Sequence, residues 1–141
     1  MTAADHRRRR IASFMTLAFE ELKAAEMLLE SLPRQSAFFQ QQAAEKLLRA
    51  VLEVENIPAG PTHNLRTLAD LLDKDHALRP EFLAVEDWSS AATRFRYPSG
   101  SGAAPTASPA MLRDRQTRLG LLEQVVKNFV SARVKDNSSK V

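Results

Sequence analysis

Two arginines and the only tyrosine of the chain lie close together in the stretch TRFRYPSGSG, residues 93–102. An arginine offers a planar set of N–H donors that fits a phosphate, and a tyrosine offers an aromatic face or a hydroxyl group. Arg94, Arg96 and Tyr97 are therefore candidates for binding an anion. A second interpretation needs no ligand, because arginines near the carboxyl end of a helix interact favourably with its last carbonyl groups. The neighbouring SGSG does not decide between the two, since it lacks the lysine and the Ser/Thr of a phosphate-binding P-loop.

Charged residues interrupt the most apolar segment of the chain, FFQQQAAEKLLRA at residues 38–50. Glu45 and Arg49 are four residues apart, in the orientation that favours an ion pair on a helix, and Gln42 and Lys46 share this spacing. One interpretation is a solvated strip whose ion pair contributes little to stability. The other places Glu45 or Lys46 partly inside the protein, where a charge needs a partner.

The three histidines, His6, His63 and His76, are scattered, with no pair at helical spacing. Asp73, Asp75 and His76 are close enough in sequence to bind a metal, but such a group at a charged helix end is more typical of a solvated turn. We therefore predict no metal site, and no cofactor. His63, in GPTHNL, is expected at the start of a short helix, where local capping competes with a catalytic role.

Apolar residues recur with the period of an α-helix along most of the chain, and no segment alternates like a strand. From Ile11 onward the apolar positions step by four and three, which predicts a first helix with Asp5 as its N-cap and Pro33 at its end. A second helix is predicted from about Ser36 to Ile57. Its apolar positions cover most of its circumference, which is typical of a central helix or of one in an oligomer interface.

Breaks in the sequence separate three later helices. PAGP, residues 58–61, ends the second helix, and Thr62 or Asn64 is expected to cap a short third helix with leucines at positions 65, 68, 71 and 72. A fourth, longer helix is predicted from about residue 80 to residue 95, and its apolar face comprises Phe82, Val85, Trp88, Ala92 and Phe95. The last helix is expected to begin near Ser108 and Pro109.

These elements predict an all-α fold, an antiparallel up-and-down bundle of four longer helices and one short helix. The bundle is expected to form a single domain over residues 1–134. Residues 98–110 are rich in glycine, serine and proline and lack apolar anchors, so they are predicted to be a flexible loop. Residues 135–141 are predicted to be a disordered tail.

The charge of the chain is concentrated at one end. The net charge is +3, and the first ten residues, with four arginines and one aspartate, account for all of it. A protein that binds nucleic acid across its folded surface is usually basic throughout, so the run Arg7 to Arg10 is either a solvated first turn or a local phosphate contact. There is no cysteine and no apolar run long enough to span a membrane, and we expect no export signal. The predicted location is the cytoplasm.

Three segments, FFQQQAAEKLLRAVLE, THNLRTLADLL and TRFRYPSG, resemble in order and spacing the HEPN domain family (higher eukaryotes and prokaryotes nucleotide-binding). In that family a helix with a Gln-x-Ala-x-Glu-Lys-like run precedes a segment with a His-x-Leu-like start, and an Arg-Tyr pair ends a later helix. The matching positions are Gln41 or Gln42, Ala43, Glu45, Lys46, His63, Leu65, Arg96 and Tyr97. The resemblance covers roughly residues 11–133 and implies a helical bundle, frequently dimeric, with a role related to nucleotides or RNA.

Many members of that family pair with small nucleotidyltransferases in toxin–antitoxin modules, and its ribonucleases carry an arginine followed four to six residues later by a histidine. This chain has no such pair, since its last histidine, His76, precedes both Arg94 and Arg96. Without an imidazole near these arginines, general acid–base catalysis has no candidate in the segment. The resemblance therefore implies a non-catalytic module that binds a nucleotide or phosphate-bearing ligand, as a homodimer or with a partner such as a nucleotidyltransferase.

The end of the fourth helix and the second helix are predicted to form the two sides of a groove that suits a nucleotide phosphate or an acidic partner surface. The candidate ligand-binding residues are Arg94, Arg96, Tyr97, Lys46, Arg49, Glu45 and His63. One alternative is an RNA-cleaving toxin of the same family with a diverged active site, in which His63 supplies the base. Another is a purely structural dimerisation or adaptor bundle that uses the second helix as its interface.

Overall fold

The computed structural model describes residues 1–139, except for the side chains at positions 92, 93 and 136–139. Over this range all of its regular secondary structure is helical, and there is no β-strand. Its elements are α1 (Ala3–Leu28), α2 (Pro33–Val54), α3 (Leu65–Ala69), α4 (Arg79–Leu83), a 3₁₀ helix (Glu86–Ser90), α5 (Ala91–Arg94) and α6 (Pro109–Ser139). The all-α prediction is confirmed, but three helices are long rather than four. Among the described residues, no helix combines the length and the apolar character that crossing a membrane requires.

Helix α1 begins with a reciprocal cap. The Thr2 hydroxyl accepts a hydrogen bond from the Asp5 amide at 3.1 Å, and the Asp5 carboxylate accepts one from the Thr2 amide at 3.0 Å. Such a capping box satisfies amide groups that a helix start otherwise leaves without partners. The N-cap is therefore Thr2, and the prediction of Asp5 was wrong because Asp5 is the third residue of the helix. The hydrogen bonds from Thr2, and then that from Arg8, lower the pKa of Asp5 to about 2.

Helices α1 and α2 run antiparallel. Near one end the Ser36 hydroxyl donates to the Ala25 carbonyl at 2.6 Å, and near the other end Arg10 Nε donates to Glu53 at 2.9 Å. Helix α2 begins at Pro33, three residues earlier than predicted, because the fixed φ and missing N–H of proline suit the first helical turn. The up-and-down order of the whole bundle stays a prediction.

Helix α2 forms the centre of the protein. Twelve of its 22 residues are buried, so its wide apolar surface is covered by other parts of the same chain. This decides the choice that the sequence left open in favour of a central helix. The main hydrophobic cluster joins α2 to the two other long helices, to α3, to α4 and to the 3₁₀ helix. Its members include Ala18, Leu22, Leu47, Leu48, Val51, Leu52, Leu65, Leu68, Phe82, Trp88, Leu119, Leu122 and Val126.

Helix α3 is capped by Asn64, one of the two predicted caps, whose side-chain oxygen accepts a hydrogen bond from the Thr67 amide at 3.0 Å. Leu65 and Leu68 are buried, whereas Leu71 is exposed. The prediction that Leu71 belongs to this helix was wrong, because α3 ends at Ala69.

The predicted fourth long helix is replaced by three short elements, α4, the 3₁₀ helix and α5. The residues that it buries are Phe82, Val85, Trp88, Ala91 and Phe95. The first four are spaced three residues apart, which is the period of a 3₁₀ helix. On an α-helix, with 3.6 residues per turn, four residues at this spacing would not all face the core. The prediction of one continuous helix was therefore wrong, and the side chain of Ala92, which it placed on the buried face, lies outside the described part.

The loop between α5 and α6 has an apolar anchor that the sequence analysis missed. Ala107 is buried in a second hydrophobic cluster together with Leu29, Ala37, Ala91, Phe95 and Leu112. Within the loop, the Gly102 amide donates to the Ser99 carbonyl at 2.8 Å, and Gly102 has a φ of 84°, which glycine adopts without strain. The predicted flexibility of residues 98–110 stays a prediction.

Helix α6 begins at Pro109, as the sequence suggested, and extends to Ser139. Its end is later than predicted because no proline or glycine follows Gly120 to stop it. Residues 135–139 of the predicted tail are thus helical, and residues 140 and 141 lie outside the described residues.

Candidate functional site

A cavity of about 480 Å³ lies between the first turns of α2 and the segment that follows α5. Its walls are formed by Arg34, Gln35, Phe38, Phe39, Phe95, Arg96, Tyr97, Pro98, Ala104 and Pro105. We call it the Arg96 cavity. Ala37, Phe95 and Ala107 of the second hydrophobic cluster belong to the three segments that surround it, so apolar packing holds these walls in place.

Cationic and aromatic groups alternate along the cavity wall. The Arg96 guanidinium lies over the Phe38 ring, 4.6 Å from its centroid, and Phe38 packs edge-on against Phe39. The Tyr97 side chain is 61% exposed, so its ring is open to a ligand. No carboxylate lines this cavity, and the two arginines, Arg34 and Arg96, make its wall positive.

Arg34 connects α2 to the loop across the cavity. Its Nη1 atom donates a hydrogen bond to the Pro105 carbonyl at 3.3 Å. Within residues 1–139, neither Arg34 nor Arg96 forms an ion pair, so donors of both guanidinium groups remain for an anion.

A second, more open cavity of about 430 Å³ adjoins the first and shares Phe95, Tyr97, Pro98 and Pro105 with it. Arg94 lies here, with its guanidinium 5.4 Å from the centroid of the Phe95 ring. Arg94, Arg96 and Tyr97 are thus brought together around the two adjoining cavities, and none of the described residues that line them is acidic.

Lys46 and Arg49 do not line the Arg96 cavity. Lys46 donates to Glu21 Oε1 at 2.5 Å and to Gln42 at 3.3 Å. Arg49 donates to Glu45 Oε2 at 3.1 Å and to the backbone carbonyl groups of the segment after α2. The second side of the cavity is instead formed by Arg34, Phe38 and their neighbours at the start of α2. The charges of Lys46 and Arg49 are paired elsewhere on that helix. Burial raises the pKa of Glu21, and the Lys46 ammonium opposes this rise.

Glu45 is the centre of a buried polar cluster. It is 4% exposed and accepts hydrogen bonds from Arg49 and from Gln41 Nε2, the latter at 3.2 Å. His63 Nδ1 lies 3.1 Å from Glu45 Oε2, although the His63 side chain is 73% exposed. Of the two interpretations of this helix, the structure therefore supports the one with Glu45 inside the protein. The cluster attaches the segment that carries His63 to α2.

Sequence reasoning missed Arg34, Phe38 and Phe39 as residues of the cavity. The signal available was the pair of adjacent phenylalanines near the start of α2, because neighbouring residues on a helix point in different directions and cannot share one face. Both rings are only partly buried.

Among the described residues, no group of three or more His, Cys, Asp or Glu side chains is arranged to hold a metal ion.

Comparison with known families identifies the class of protein. The family model of the HEPN domain matches residues 12–126, which is most of the chain. The chain therefore belongs to the HEPN domain family. No curated protein and no solved structure shows a significant match to it.

Proposed function

We propose that this HEPN module binds a nucleotide, or another phosphate-bearing ligand, in the Arg96 cavity without cleaving it. The observation that supports this proposal is the cavity wall itself, which combines two arginines that lack an ion pair with aromatic rings and no carboxylate. Guanidinium groups bind phosphate through paired, charge-assisted hydrogen bonds. Aromatic rings and stacked arginines bind the faces of nucleobases.

The parts of the ligand would be distributed over the two walls. The phosphate is placed at Arg96 and Arg34, with Arg94 next to it in the adjoining cavity. The base is placed on the exposed face of Tyr97 or against Phe38. The absence of a histidine in the sequence after His76 removes the usual proton-transfer group from this segment, which favours binding over catalysis.

The single tyrosine allows a direct test. Protein labelled with 3-fluorotyrosine gives one ¹⁹F signal, from Tyr97, and titration with AMP is expected to shift it to saturation. Adenosine and inorganic phosphate, each with half of the chemistry, are expected to bind more weakly than AMP. Calorimetry on the same samples gives the dissociation constants.

Arg96→Ala is expected to weaken AMP binding by about tenfold to hundredfold, because a charge-assisted hydrogen bond contributes about 1.5–3 kcal/mol. Arg118→Ala is the matched control, since Arg118 is an exposed arginine on α6 that does not line the cavity. Equal AMP affinity of the Arg96→Ala variant and the wild type would remove the proposed site.

A second candidate function is RNA cleavage with His63 as the base. It is favoured by the contact of His63 Nδ1 with the buried Glu45 carboxylate, which orients the imidazole while the ring stays open to solvent. The test is incubation of total RNA with purified wild-type protein and with the His63→Ala variant. Intact RNA in both samples ends this alternative, and cleavage by the wild type alone supports it.

We also propose that the module acts as an up-and-down bundle in a homodimer, or beside a partner protein such as a nucleotidyltransferase, in the cytoplasm. The support is the family to which the chain belongs. A purely structural adaptor would need an exposed interface, and since α2 is covered within the chain, its apolar contacts would come from exposed side chains such as Phe19 and Leu121. Light scattering at micromolar concentration tests the dimer, and a monomer contradicts both the homodimer and the adaptor.

A further inference from the structure

A separate cavity of about 300 Å³ lies where the start of α1 meets the ends of α2 and α6. Its aliphatic residues are Ala4, Ile11, Val54 and Val134, and its remaining residues are Arg7, Arg8 and Arg133. None of these seven residues is aromatic and none is acidic. We call it the N-terminal arginine cavity. It shares no residue with the Arg96 cavity.

Among the side chains that the structure describes, carboxylates balance only part of the cationic charge at this cavity. Arg8 pairs with Asp5, and Arg133 Nη2 lies 2.8 Å from Glu55 Oε1. Arg7 forms no ion pair and no hydrogen bond with any other residue in the described part of the chain. Each guanidinium has five N–H donors, so Arg8 and Arg133 keep donors beyond those that their carboxylates occupy.

The position of these arginines favours a further anion. Three guanidinium groups line one cavity, and like charges at short range repel one another. Arg133 adds a third cation from the far end of α6. The helix amides do not need this anion, because Thr2 and Asp5 already cap them.

We propose that the N-terminal arginine cavity binds a small amphiphilic anion. Its carboxylate or phosphate head group contacts the guanidinium groups of Arg7 and Arg133, and its short saturated body packs on Ile11, Val54 and Val134. None of the described residues at this cavity has an aromatic ring on which a nucleobase could stack, which separates its ligand class from that of the Arg96 cavity. Aliphatic surface beside guanidinium groups fits an anion whose body is a short alkyl chain.

The sequence provides an unusually simple probe, because it contains two isoleucines, Ile11 and Ile57. Protein labelled with ¹³C at the isoleucine δ1 methyl groups gives two signals. Ile11 lines the cavity, and Ile57 packs against the main hydrophobic cluster and serves as the internal control. Titration with hexanoate is expected to shift the Ile11 signal to saturation in the millimolar range and to leave the Ile57 signal in place. Hexyl phosphate, as a second arm, shows which head group binds more tightly.

Two variants test the role of the charge. Arg7→Gln is expected to weaken hexanoate binding by about tenfold, because it removes one charge-assisted contact. Arg9→Gln changes the charge equally in the same helix but does not line the cavity, so its affinity is expected to stay within about twofold of the wild type.

Four results overturn the proposal. These are an Ile11 signal that neither anion moves, equal binding of 1-hexanol, equal binding of inorganic phosphate, and equal weakening by Arg7→Gln and Arg9→Gln. Equal binding of 1-hexanol would show that no anion is needed, and equal binding of inorganic phosphate would show that the aliphatic residues do not contribute. Equal weakening by the two variants would show that only the overall charge of the helix matters. Arg96→Ala is expected to leave this titration unchanged, so its outcome is independent of nucleotide binding.

Discussion

Substituting Glu45 with alanine tests whether the buried polar cluster stabilises the fold. The carboxylate is 4% exposed and accepts hydrogen bonds from Arg49 and Gln41, with His63 Nδ1 also within 3.1 Å. Without it, the Arg49 side chain, which is 15% exposed, keeps only backbone carbonyl partners and has no countercharge. Gln41, which is fully buried, also loses an acceptor.

The expected loss of stability is about 3 kcal/mol. Breaking a buried ion pair by removing one partner costs roughly 3–5 kcal/mol, and the carbonyl partners that Arg49 keeps place the value at the lower end. With an unfolding entropy of about 2.1 cal/mol/K per residue, a chain of 141 residues has an entropy of about 0.3 kcal/mol/K at its midpoint. The Tm of Glu45→Ala is therefore expected to fall by about 10 °C.

Thermal denaturation followed by circular dichroism measures this shift. Glu53→Ala is the matched control on the same helix, since its partner Arg10 is 52% exposed and an exposed pair contributes at most about 1 kcal/mol. The control is expected to lose no more than about 3 °C. A Glu45→Ala variant whose Tm matches that of the control refutes the reasoning, because Glu45 would then contribute no more than a surface charge.

Two further predictions concern the interior of α6 and the start of α1. Gly120→Ala is expected to stabilise the protein by roughly 0.5–1 kcal/mol, because alanine is the better helix former and an added Cβ at this position meets no atom within 4 Å; a lower Tm in the same denaturation experiment contradicts this. Asp5 is expected to titrate near pH 2 by carboxyl-carbon NMR, since hydrogen bonds from Thr2 lower its pKa from 3.8 to about 2. A group with a lowered pKa in the folded state stabilises above its unfolded pKa, so this contribution is present above about pH 4 and is lost as the pH falls through about 2. Thr2→Ala is expected to return the pKa towards its ordinary value, and a wild-type Asp5 that already titrates there contradicts the capping box.

The sequence predicted the parts of the fold that depend on local patterns. The four-and-three spacing after Ile11 and the dense apolar face of α2 correctly indicate helices, because helical periodicity is a property of neighbouring residues. The prediction of a fourth long helix was wrong because its apolar face was assigned with Ala92, whereas the structure buries Ala91. The buried residues from Phe82 to Ala91 are spaced three apart, which is the period of a 3₁₀ helix.

The candidate site could be predicted only on one side. Arg94, Arg96 and Tyr97 were visible as a local cluster, whereas Phe38 meets Arg96 across more than fifty residues of sequence. The four-residue spacing indicated the Glu45–Arg49 pair, but it did not indicate the pairing of Lys46 with Glu21 or the carbonyl groups of residues 60 and 62 that Arg49 also contacts. Charge partners of this kind are set by packing, so their identity follows from the structure alone.

The broken course of the chain between α4 and α5 has a consequence for how the Arg96 cavity responds to its surroundings. Three short elements in succession lack the long ladder of backbone hydrogen bonds that a continuous helix has, and they are retained mainly by buried rings such as Phe82 and Trp88. Amide protons of this stretch are therefore expected to exchange with deuterium well before those of α2. We therefore expect the wall of the cavity that carries Arg96 and Tyr97 to deform more readily than the wall formed by α2.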